Sequence, residues 1–162
     1  MANLIENDKI FYTNYEPKVA NRFILEVDGI PSFLCKKVSR PQIECGEVVL
    51  DHINIIRKMK GKCKWGDITI SMYDSIVPSG AQAVMEWVRT GHESVTGRDG
   101  YADFYKKNFD IFVLGPVGDK VENWKIWGAY IKTATFGGMD WATETPVEIS
   151  LTLGIDYAVL EY

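Results

Sequence analysis

The chain predicts a mainly β fold: a β-barrel or sandwich with one packed α-helix, at about residues 79–90, and one extended hairpin. Three observations predict it. From residue 22 onward apolar and polar side chains alternate with period two, the pattern of half-buried strands. One window alone, residues 79–90, changes to helical spacing. A stretch rich in Val and Ile, residues 47–56, runs directly into a basic stretch, 57–65, with the same alternation.

Taken in order, residues 1–20 carry apolar side chains without a period and are expected to form an N-terminal arm that orders only against something else. Residues 21–162 are expected to form a single domain, the size of one hydrophobic core. Phe23, Leu25 and Val27 share one face of a first strand, with Glu26 opposite and a turn at Asp28-Gly29. Residues 32–38 read as a second strand that Pro41 ends or bends. Residues 47–56 follow, with Asp51-His52 as hairpin tip or bend. In residues 67–73, Ile68, Ile70 and Met72 oppose Thr69, Ser71 and Tyr73.

Ser79 and Gln82 form a capping pair, and Ala81, Val84, Trp87 and Val88 make one stripe of the helix. Gly91 is expected to stop the helix in a left-handed conformation. Residues 91–101 are polar and turn-rich, hence an exposed loop. Phe109, Ile111 and Val113 face one way in the next strand, and residues 122–132 form another after a Gly-rich turn. In the final strand Val147, Ile149, Leu151, Leu153 and Ile155 point one way. Glu148, Ser150, Thr152, Gly154 and Asp156 point the other.

Composition narrows the function classes. Apolar residues are 46% and charged residues 25%, ordinary for a globular domain, and the formal net charge of −4 disfavours an independent nucleic-acid binder. No apolar run approaches the ~18 residues of a membrane span, and the N-terminus lacks a secretory pattern. Cys35, Cys45 and Cys63 are odd in number and share no CxxC spacing, so reduced thiols are expected rather than a disulfide. His52 and His92 sit in no metal-ligand motif, and no nucleophile turn is present. Cys35 and Cys45 fit buried small hydrophobes better than nucleophiles. Neither catalytic residues nor a metal or cofactor is expected.

The basic stretch is the unusual local feature. In an extended chain Lys58, Lys60, Lys62 and Lys64 project from one face, while Met59, Cys63 and Trp65 project from the other. Three readings stay open: a solvated edge strand, a docking face for an acidic neighbour, or a DNA contact. Five Trp residues exceed what a small core readily holds, which favours an oligomer because Trp is enriched at interfaces.

Two segments, with Asn21-Arg22-Phe23, carry a resemblance. One runs from Lys60 through Trp65-Gly66-Asp67 to Ile70, followed by Met85-Glu86-Trp87. The other holds Trp124-Lys125-Ile126-Trp127-Gly128, Gly137-Gly138-Met139-Asp140-Trp141, and residues 147–157. In this order and spacing the chain resembles the tail tube proteins of contractile-tailed bacteriophages over about residues 21–157. That resemblance implies hexameric rings stacked into the inner tube of a contractile tail. It implies sheath, baseplate and tape-measure proteins as partners. DNA would pass through the lumen during ejection without sequence-specific binding. The virion would be its location, after assembly in the bacterial host cytoplasm, with no membrane partner. Related tubes serve phage-derived injection and secretion machines, a second reading. A monomeric β-barrel binding a small ligand is a third, of another class.

Within that frame, Asp51, His52, Arg57, Lys58, Lys60, Lys62 and Lys64 are expected to make contacts between subunits or rings, the lysines meeting acidic residues on a neighbour. Glu148, Ser150, Thr152 and Asp156 are expected to face the lumen, their carboxylates repelling DNA phosphates.

Overall fold

A computed structural model describes residues 16–162 of the chain. The expected N-terminal arm, 1–20, therefore lies mostly outside the described residues. Strands β1 (Phe23–Val27), β2 (Cys35–Val38), β3 (Ile43–His52), β4 (Ile55–Trp65) and β5 (Ile68–Tyr73) precede helix α1 (Gly80–Gly91). A single helical turn, α2 (Ala102–Tyr105), then leads into β6 (Lys107–Leu114), β7 (Lys120–Thr135), β8 (Glu148–Gly154) and β9 (Tyr157–Leu160).

The body is one antiparallel sheet in the order β1-β6-β7-β8-β5-β2, with β9 also on β7. β7 joins its two halves. Its first part pairs with β6 and β9, and its last part pairs with β8. The two halves fold over a common core of Leu25, Ile68, Ile70, Ile111, Ile126, Ile149, Leu151 and Leu153, closed on one side by Val84 and Trp87 of α1. The expected helical stripe is thus the buried one, and Ser79 caps α1 by accepting a hydrogen bond from the Gln82 amide. Among the described strands the sheet does not close. β1 and β2 are its two ends and share no ladder, so the fold is an open sandwich rather than a closed barrel.

Several expectations change. Residues 32–38 are not one strand: Ser32–Leu34 is a 3-10 turn that buries Leu34, and only Cys35–Val38 pairs, with β5. Gly91 ends α1 without turning left-handed, and the extended His92 follows. A Cβ on Gly91 would lie 3.2 Å from the Tyr105 Cβ, so glycine serves the close approach of α2 there.

The final strand breaks at Ile155-Asp156. β8 and β9 both run along β7, but odd-numbered side chains face the core in β8 whereas Ala158 does so in β9. Gly128, opposite the break, adopts φ +67°, and a Cβ there would collide with the Asp156 carboxylate. That bend changes which side chains face inward, so simple alternation could not reveal β9.

Candidate assembly interface

β3 and β4 form a two-stranded ribbon that pairs with no other strand among the described residues. Each strand of this arm extends roughly 30 Å at about 3.3 Å per residue. The arm springs from the Ile68 end of β5, where the Ser39 amide donates to the Thr69 carbonyl and the Gly66 amide to the Gln42 carbonyl. Its tip is Ile53-Asn54, not Asp51-His52, which still lie in β3 and pair with Ile56 and Ile55.

Register divides the arm into two unlike faces. Lys58, Lys60 and Lys64 stand beside Val49, Glu47 and Glu44, with Lys62 in the same row. Two ion pairs form there: Lys58 to Glu47 at 3.2 Å and Lys64 to Glu44 at 3.5 Å. Lys60 and Lys62 have no ion pair among the described residues. The lysine row of the sequence is therefore half answered within the arm itself, by Glu47 and Glu44 of the paired strand.

The opposite face is mainly apolar: Val48, Leu50, Ile55 and Met59 are exposed, with His52 and Arg57 among them and Trp65 at the root against the core. Cys45 and Cys63 face each other across the ribbon and are disulfide-bonded. This corrects the expectation of free thiols. Strand register makes the two residues partners, and an odd cysteine count could not reveal that. Cys35 is the free one, and burial pushes its thiol up to about 11.

The second candidate surface is the outward face of β8 and its neighbours. Thr69 and Ser71 of β5, Ser150 and Thr152 of β8, and Thr133 and Thr135 of β7 lie side by side in register. Glu148 begins this row but is ion-paired with Lys36, and Lys37 pairs in register with Ser71. Asp156 lies past the end of β8 and is ion-paired with Lys106 at 2.8 Å. The face is thus hydroxyl-rich and not acidic, because the break after Gly154 removes one carboxylate and Lys36 answers the other. Sequence alternation showed the hydroxyls of β5 and β8; only the sheet order adds those of β7.

A third feature escaped the sequence reading. Loops 74–79 and 136–147 meet at the Tyr73 end of β5, joined by the Asp74 amide donating to the Val147 carbonyl at 3.0 Å. They carry Ile76, Val77, Met139 and Trp141, all almost wholly exposed. A groove of about 540 Å³ between α1, α2 and β7 is lined by Trp87, Tyr105, Tyr130 and Phe136.

Solved chains from contractile injection systems share this fold over nearly their whole length. One similar solved structure is a chain of the extended sheath–tube complex of the extracellular contractile injection system PVC. It has TM-score 0.72 and 18% identity, over 98% of this chain and 99% of that one. Another is the tube-terminating cap of the anti-feeding prophage, with TM-score 0.75 and 17% identity over 93% and 95% of the two chains. A third comes from the six-fold symmetrised baseplate of the anti-feeding prophage, at TM-score 0.70 and 12% identity over 90% and 96%. No family model matches the chain, and no curated protein matches it by sequence.

Proposed function

We propose that this protein is a structural, non-catalytic subunit of the inner tube of a contractile machine, assembling as stacked rings within a sheath and on a baseplate. The observation that carries the reading is a tube-protein fold spanning nearly the whole chain, from which an otherwise unpaired arm projects. An isolated two-stranded ribbon is marginal in water, so an arm with one apolar face is suited to burial against a neighbour. Six subunits per ring is the expected number, in line with the six-fold symmetry of one structural neighbour.

Between the two tube readings, an injection particle is favoured over a DNA-ejecting virion tail. The similar structures reported above come from injection particles. The hydroxyl-rich face is the best candidate for the lumen, and it has lost the acidic character on which repulsion of DNA was to rest. A neutral, wet lining suits passage of a folded or unfolded protein cargo as well as DNA.

Size-exclusion chromatography with negative-stain microscopy tests the assembly. Rings or tubes are expected at micromolar concentration. A monodisperse monomer at every concentration would overturn the reading in favour of a ligand-binding domain.

A further inference from the structure

The arm and the loop pair occupy opposite ends of one strand. The arm is rooted where β5 begins, and loops 74–79 and 136–147 close the end where it finishes. Two different surfaces at opposite ends of a subunit make a head-to-tail contact, which propagates instead of closing on itself as a two-fold contact does.

Both surfaces are apolar and exposed. At the arm tip Ile53 is 106% exposed relative to its reference and adopts φ +41°. A β-branched residue is costly there, where Gly or Asn would relieve the turn, so the turn itself does not explain the isoleucine. Trp141 is likewise 106% exposed on its loop. A tryptophan wholly in water is the kind of side chain that dominates binding once a partner covers it.

Charge matches as well. Arg57 lies on the apolar face of the arm, opposite Leu50 in register, with no ion pair among the described residues. Residues 133–147 contain Asp140 and Glu144 and neither Lys nor Arg, and residues 74–80 contain Asp74 and neither Lys nor Arg. Asp140 accepts from the Ala142 amide at 3.0 Å and stands beside the Thr143 hydroxyl, whereas Glu144 makes no side-chain hydrogen bond or ion pair among the described residues.

We propose that the apolar face of the arm tip docks on the loop pair of a second copy of this chain. Ile53 and its neighbours seat against Trp141 and Met139, and Arg57 meets Glu144. The contact rests on the tube reading and specifies which surfaces join successive subunits head to tail. The lysine face of the arm is left free for other neighbours.

The test uses the full chain with paired cysteines, Ile53→Cys with Met139→Cys, assembled and then oxidised. Denaturing gels without reductant are expected to show a ladder of covalent oligomers, and each single variant is expected to show none. A charge exchange makes a second arm of the experiment. Arg57→Glu and Glu144→Arg should each raise the concentration needed for assembly, and the double variant should restore it. Trp141→Ala should raise that concentration about 30-fold while leaving the circular dichroism of the subunit unchanged. If the wild type assembles but neither ladder nor rescue appears, this contact is wrong and the tube reading stands. If the wild type never assembles, the tube reading itself has failed.

Discussion

At the scale of the residue, Glu122 does the most to tie distant segments together. Its carboxylate is buried on β7. It accepts from Trp124 and Lys18, and from Arg40 at 3.4 Å, so it links the segment before β1 to the root of the arm. Burial pushes Glu122 up, but the hydrogen bonds from Lys18 and Trp124 and the nearby Lys18 and Arg40 charges outweigh it, leaving the group below its usual value. Because the folded value lies below the unfolded one, this stabilisation is complete above pH of about 4.3 and is lost as pH falls through the folded value. Glu122→Gln should therefore cost about 1–3 kcal/mol in urea unfolding at pH 7 and flatten the loss of stability in acid. Gly128 makes a second prediction. With φ +67° and Asp156 occupying the space of a Cβ, Gly128→Ala should cost more than the ~1–2 kcal/mol of left-handed backbone alone, read as a lowered Tm. Neither role was legible in the sequence. Glu122 simply begins an alternating strand there, and its two cationic partners, Lys18 and Arg40, come from positions more than eighty residues away.

At the scale of the element, alternation makes the arm extended and basic on one face, but its tip lies at Ile53-Asn54 and not at Asp51-His52. Asp51-His52 carries the stronger turn signal, whereas Ile53-Asn54 makes the turn against the preference of isoleucine. The position matters because a residue chosen for the turn and a residue chosen for a partner respond oppositely to substitution. Ile53→Gly should leave the isolated subunit as stable or more stable, by up to about 1 kcal/mol, because it removes left-handed strain. The same change should weaken assembly, since the tip loses its apolar side chain. Urea unfolding of the subunit and sedimentation of assembled material measure the two effects separately. Loss of both together would mean that Ile53 packs within its own subunit. The helix, in contrast, was legible to within a residue. Its stripe, its cap and its burial are all local features, whereas the arm's ion pairs and disulfide depend on a register that sequence spacing leaves open, with a bulge between Cys45 and Glu47.

At the scale of the whole molecule, the β-rich class was legible because period-two alternation survives in almost every strand. The open path of the sheet, the bend at Gly128 and the separate β9 were not, because each depends on which strands lie side by side. The same neighbour relations decide what the proposed lumen is made of. Six hydroxyl side chains from three adjacent strands form one wet face, edged by Lys36, Lys37 and Glu148. Such a face has three possible fates in an assembly: outer wall, interface or channel. Chemistry at Ser150, exposed near the middle of the row, separates them. Ser150→Cys should react in the free subunit with both a small iodoacetamide and a maleimide carrying a polymer coil wider than the channel. In assembled tubes the small reagent should still react, because it enters by the open ends, while the large one should be excluded. An outer wall would leave both reactions unchanged, and a subunit interface would block both or prevent assembly. Labelling of Ile53→Cys in the same tubes gives the necessary contrast: a buried arm tip should be closed to both reagents, so that only the channel face discriminates by size.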